Sequence, residues 1–248
     1  MPSSRSSPAE PAQARLAELI ALPFAHRGLH GRGLPENSRA AFAAAIARGH
    51  GIELDVQASR DGDAFCFHDE ALERLTGESG AVTERASETL ALVRLRGCDE
   101  TIPSLADVLG LVGGRVPLLI EVKALPRTVA ALCRSVCAAL NGYGGAAGVM
   151  SFDPQVGHWF ARHSPGRIRG LVVTERGRRG LWGAVGRRLA LRRAQPHFLA
   201  YDIRDLPSRF AAAARGRGLA VCTWTVRTDE ERARAAAHAA QIIYEDMP

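Results

Sequence analysis

The chain has 248 residues, 46% apolar and 23% charged, with a formal charge of +6. That balance fits a globular protein with a core large enough to fold without disulfides. No run approaches the ~20 apolar residues a membrane span needs. The five cysteines (Cys66, Cys98, Cys133, Cys137 and Cys222) include no CxxC pair, which argues against a disulfide framework. Cys133 and Cys137, four apart, read as small apolar packing residues on one helix face rather than as a metal pair.

The opening MPSSRSSPAEPAQ is polar and proline-rich and lacks an apolar stretch of signal-peptide type. Residues 1–12 therefore read as a disordered leader, residues 13–248 as a single domain, and the protein as cytoplasmic. ARLAELIAL follows as a helix. Short β-type runs then alternate with alanine-rich helical runs: PFAHR (23–27), GIELDV (51–56), VPLLIEVK (116–123), AAGVMSF (146–152), RIRGLVV (167–173), HFLAYDI (197–203), LAVCTWTV (219–226) and AQIIYE (240–245). Strands separated by crossover helices are the pattern of parallel βαβ units, and ~250 residues is the usual size of a (β/α)8 TIM barrel. A doubly wound open sheet is the alternative, though it usually has fewer strands. DAFCFHD (63–69) adds an extra extended segment, and residues 69–102 read as a small rim insertion after the second strand. No helix is expected after the eighth strand, so the leading helix is free to cover the barrel's open bottom.

Strand alternation sorts the polar residues. In GIELDV, Ile52, Leu54 and Val56 point outward, leaving Glu53 and Asp55 inside. In VPLLIEVK, Leu118, Ile120 and Val122 point outward, leaving Glu121 and Lys123 inside. Buried carboxylates are costly unless they are paired or hold a cation. Three of them without a nearby cysteine favour a hard divalent cation, Mg2+ or Ca2+. The alternative is an ion-pair network closed by Lys123. His26 and His68 end extended segments at the same rim and suit proton transfer. His30, His50, His158, His163, His197 and His238 lack such company. Arg27 suits a phosphate, and Gly28, Gly31 and Gly33 permit close backbone approach. Asn37 reads as a helix N-cap, with Pro35 and Glu36 shaping the loop. Arg32 reads as a bystander.

AHRG with PEN, then ELDV, FHD, IPSL, IEVK and WTV, in that order, resemble the bacterial-type glycerophosphodiester phosphodiesterases. The resemblance runs from about Phe24 to Pro248. It implies a (β/α)8 barrel with a small insertion that hydrolyses glycerophosphodiesters to glycerol 3-phosphate and an alcohol. It further implies that His26 and His68 are the general acid/base pair and that Glu53, Asp55 and Glu121 are the metal ligands. Arg27, Lys123 and Trp224 become substrate contacts, Trp224 having barrel packing as its other explanation. Three departures stand out: Gln241 replaces an acid, Glu245 a threonine, and Leu75 a threonine within ERLTG, whereas Asp246 and Pro248 are kept. These positions are expected to lie away from the ligands and to bear on substrate preference.

The basic run from Arg176 to Arg193 carries Leu181, Trp182, Val185 and Leu189 at helical spacing. It is compatible with a membrane surface, and hence with a related phospholipase acting on intact lipid phosphodiesters. A nucleic-acid-binding scaffold with an idle barrel is disfavoured because every candidate catalytic position is present. The partner expected is a small glycerophosphodiester.

Overall fold

A computed structural model describes residues 11–31 and 33–245. Of the expected leader, residues 1–10 lie outside the described residues, while Pro11 and Ala12 open the first helix, α1 (Ala12–Leu19). Arg32, Asp246 and Pro248 also lie outside them.

The strands run β1 (Phe24–Ala25), β2 (Gly51–Ala58), β3 (Ala64–Cys66), β4 (Leu118–Val122), β5 (Ala147–Ser151), β6 (Ile168–Val173), β7 (Phe198–Asp202), β8 (Ala220–Val226) and β9 (Gln241–Tyr244). All pair in parallel except β3, and β1 pairs with both β2 and β9, so the sheet closes into a barrel of eight parallel strands. β3 lies outside it, antiparallel to the end of β2. The chain thus has a (β/α)8 TIM-barrel fold. Between the strands run α2 (Arg39–Ala47), a short α3 (Ser87–Leu90), α4 (Leu105–Val112), α5 (Val129–Ala139), α6 (Pro154–His163), α7 (Leu181–Ala194), α8 (Arg209–Arg215) and α9 (Asp229–His238).

Local chemistry sets the helix starts. Ser104 and Asp107 cap α4 reciprocally, as Thr228 and Glu231 cap α9, and Asp153 caps α6 just before Pro154. Such caps satisfy backbone N–H groups that have no partner within the helix. The cap of α2 is Ser38, not Asn37: the Ser38 hydroxyl accepts from the Ala41 N–H, while Asn37 sits at φ 56° with its side chain turned elsewhere.

The barrel's own core divides in two. Outward-facing Ile52, Leu54, Val56, Leu118, Ile120 and Val122 pack against the helices. Inside the barrel, Phe24, Leu119, Met150, Ile168, Phe198 and Ile243 form a separate cluster. Leu16 and Leu19 of α1 complete this inner cluster, so α1 plugs the N-terminal mouth. Gly148 admits the plug, because a Cβ there would lie 2.6 Å from Leu19 Cδ2. Among the described residues no helix is long and apolar enough to cross a membrane.

Residues 69–102 build a satellite core of their own on the rim, in which Leu72, Val82, Leu90, Val93 and Leu95 pack with Phe65 and Phe67. Glu100 ties this segment back to the barrel by accepting from the N–H groups of Arg39 and Ala40 at 2.8 and 3.0 Å, at the start of α2.

Leu19→Ala is expected to lower stability by about 2–4 kcal/mol, because Leu19 is only 1% exposed. Denaturant unfolding checks this; a loss under about 1 kcal/mol would show that α1 is not an integral plug.

Candidate active site

Strand register brings the acids together. Asp55 of β2 lies directly opposite Glu121 of β4, with Glu53 one inward position below. Ligand oxygens of Glu53, Asp55 and Glu121 all lie within 4.8 Å of one another. Lys123 donates to Glu121 Oε1 at 2.9 Å and sits 3.3 Å from Asp55 Oδ1.

The first strand turns sharply into this centre. Arg27 adopts φ 54°, its N–H donates to Glu53 Oε2 at 3.0 Å, and its guanidinium lies 3.2 Å from Asp55 and 2.8 Å from Glu36. Gly28 follows at φ 78°, where a Cβ would meet the Ala41 backbone at 2.8 Å. Asn37, expected as a helix cap, instead clasps Asp55: its side-chain amide donates to Asp55 Oδ2 at 3.1 Å, and its carbonyl accepts from the Asp55 N–H at 3.2 Å. An Asn tolerates the left-handed backbone this requires.

Electrostatics divides the acids. Burial, then the charges of Asp55 and Glu121, push the Glu53 carboxyl well above the usual range. Burial opposes ionisation of Asp55 too, but Lys123 and Arg27 outweigh it and hold that carboxyl below its ordinary value. Burial likewise works against the charge on Lys123, yet Glu121 and Asp55 raise its ammonium overall. One oxygen is left over: Glu53 Oε1 is buried and has no hydrogen-bond partner. An orphaned buried carboxylate oxygen facing two more carboxylates fits a hard cation.

The histidines flank the centre. His26 Nδ1 lies 2.5 Å from Glu245 Oε1, with its Nε2 3.9 Å from Glu53 Oε2. Burial is the largest influence on this imidazole and holds it below its ordinary value, against the pull of Glu245. His68 Nδ1 lies 2.7 Å from Asp69 Oδ1. Hydrogen bonding from Arg74 is the main reason the Asp69 carboxyl falls to about 2. Arg74 also donates to Glu36 at 2.7 and 3.0 Å, which links the rim insertion to the loop that carries Arg27.

His26, Arg27, Glu53, Asp55, His68 and Glu121 line one cavity of about 200 Å³, together with Lys123 and Trp224. All the predicted site residues therefore meet. Trp224 donates its indole N–H to the Ala200 carbonyl at 2.9 Å and meets Phe152 edge-on at 5.5 Å between ring centroids, so it is both a wall and a packed residue. One expectation is corrected: Glu245 is not remote, since it touches His26 and also accepts from Arg227 at 2.7 Å. His30, set aside as a bystander, lies 3.8 Å from the same carboxylate. Gln241 does lie away, donating to the Ile20 carbonyl below the barrel. Phe152, Arg204 and Arg227 also line the cavity. Each stands just past the C-terminal end of β5, β7 or β8, and position at a strand end was the signal that would have found them.

Fold and site together define a (β/α)8-barrel protein whose ionisable groups gather at the C-terminal mouth, where barrel enzymes act. The glycerophosphoryl diester phosphodiesterase family model matches residues 26–247, and the chain belongs to that family. It is 40% identical over 108 residues to a glycerophosphodiester phosphodiesterase of Bacillus altitudinis, covering 40% of this chain and 43% of that one. It is 37% identical over 110 residues to a glycerophosphodiester phosphodiesterase of Caldanaerobacter subterraneus subsp. tengcongensis, covering 41% and 45%. The chain thus spans a little under half the length of the curated relatives it matches. Among solved structures it resembles an Oleispira antarctica phosphodiesterase in complex with the product sn-glycerol-3-phosphate, with TM-score 0.79 and 20% identity over 91% of this chain and 93% of that one. At that identity the likeness establishes the fold.

Asn37→Ala is expected to destabilise the chain by about 1–3 kcal/mol by stripping Asp55 of two buried hydrogen bonds. Chemical denaturation measures it; an unchanged midpoint would remove Asn37 from the support of the acidic centre.

Proposed function

We propose that this chain hydrolyses glycerophosphodiesters to glycerol 3-phosphate and an alcohol at the barrel's C-terminal mouth. The observation that carries the reading is the meeting of three buried carboxylates and two carboxylate-bound histidines in one small cavity. The names of the curated relatives and the product in the Oleispira antarctica structure support the substrate class.

Glu53, Asp55 and Glu121 are the residues that would hold a divalent cation, Mg2+ or Ca2+. Such a cation would neutralise charge on the phosphodiester oxygens as it develops. Arg27 and Lys123 hold positive charge beside the same carboxylates, where a phosphate would meet them. Glu245 and Asp69 each accept from an Nδ1–H, which leaves the Nε2 of His26 and of His68 to exchange protons with a ligand in the cavity. One imidazole takes the proton of the attacking oxygen as its bond to phosphorus forms. The other donates a proton to the departing alcohol oxygen as the phosphorus–oxygen bond breaks. Trp224 and Phe152 supply an apolar wall for the glycerol carbons.

Release of glycerol 3-phosphate from glycerophosphocholine is expected to stop in EDTA and to return on addition of Mg2+ or Ca2+. Hydrolysis that persists after complete metal removal would sink the ligand assignment. Faster turnover of intact phospholipid would move the reading to a lipid hydrolase. His26→Ala and His68→Ala are each expected to lower kcat by about 10²–10⁴-fold with the fold intact by circular dichroism. A variant retaining full kcat would take that histidine out of the proton transfers.

A further inference from the structure

α7 is apolar on two opposite faces. Ala190, Leu191 and Ala194 face the barrel and pack against its outer core. At about 100° per residue, Leu181, Trp182, Val185 and Leu189 fall on the reverse side. They are 75%, 86%, 36% and 58% exposed. Nothing among the described residues covers this stripe. Single exposed apolar residues need no explanation, but a contiguous set on one helix marks a contact surface.

The stripe is framed by positive charge. Arg176, Arg178, Arg188, Arg192 and Arg193 are all exposed, Arg179 is exposed but pairs with Asp205 at 3.2 Å, and no acidic residue occurs anywhere from 176 to 201. Arg187, by contrast, turns inward to Glu175 at 3.3 Å. An exposed tryptophan among aliphatic side chains, ringed by arginines, is the composition of a helix lying in the plane of a bilayer interface.

Position supplies the second argument. The loop leading into α7 follows β6, so Leu181 and Trp182 stand at the same end of the barrel as the acidic centre. A groove of about 1020 Å³ runs beside Trp182 and Leu189, and Phe152, which is 46% exposed, lines both that groove and the cavity holding His26 and His68. A surface laid on α7 would meet the mouth of the site.

We propose that the exposed face of α7 with its arginine frame docks onto anionic phospholipid membranes, holding the phosphodiester site at the lipid–water interface. A second copy of the chain fits less well, because a two-fold contact through this face would set arginines against arginines. That the docked site is a phosphodiester site rests on the hydrolytic reading, but vesicle binding is measured separately from turnover, so the two readings can fail independently.

The test is flotation of the full chain with vesicles of phosphatidylglycerol and phosphatidylcholine, compared with phosphatidylcholine alone. Binding is expected to the anionic vesicles only, to weaken with added salt, and to shift Trp182 emission to the blue. Arg188→Glu with Arg192→Glu should reduce partitioning by roughly thirtyfold or more. Leu181→Ser with Trp182→Ser should abolish it, while both double variants keep wild-type hydrolysis of a soluble diester. Equal binding to neutral vesicles, no binding to anionic ones, or variants that bind like wild type would each overturn the proposal. So would a concentration-dependent dimer, seen by sedimentation, that Trp182→Ser abolishes.

Discussion

The pairing of β2 with β4 is the constraint on which the site depends. Their register sets Asp55 opposite Glu121 inside the barrel, with Glu53 close by, all nearly excluded from water. Three like charges in that setting repel each other and lose hydration, so the surroundings must offset them. Lys123 stands just past the end of the strand that carries Glu121, two positions on, where continued alternation returns it to the same face. Arg27 arrives from the neighbouring strand only because the backbone turns into the left-handed region. Asn37 supplies both a donor and an acceptor from beyond the loop. Even so, Glu53 Oε1 remains unpartnered, which is the feature that fits the proposed cation.

A support layer extends this arrangement outward. Glu36 holds Arg27 and is held by Arg74, which also grips Asp69, the partner of His68. The rim insertion is therefore coupled to both halves of the site: it orients one histidine and braces the arginine beside the other. Its own apolar cluster gives Arg74 a rigid base, which a solvated loop would not.

The strands and the inward-facing residues were legible because both rest on short-range periodicity. Glu53, Asp55 and Glu121 followed from alternation in two short segments, and the placement of His26 and His68 from the ends of extended runs. The misjudged residues depend on long-range or conformational facts. Asn37 stands where a cap would stand, but a positive φ turns its side chain to Asp55, and Ser38 next to it caps the helix instead. Glu245 is separated from His26 by 219 residues, and only closure of the barrel brings them together. The set Leu181, Trp182, Val185 and Leu189 was visible as helical spacing, but nothing local says whether the barrel covers that face or leaves it exposed, as it does.

Closure itself completes the site. β1 pairs with β9, and the His26 N–H donates to the Tyr244 carbonyl at 2.9 Å. The next residue after Tyr244 is Glu245, whose N–H donates to the Val226 carbonyl at 3.0 Å and whose side chain then reaches His26. The last strand is thus held on both sides, by the first strand and by β8. A one-residue slip at this seam would turn every side chain of the strand to its other face, and Glu245 would leave His26. The same hydrogen bonds that seal the barrel therefore fix the imidazole, so the geometry of the histidine depends on the correct register of the final strand.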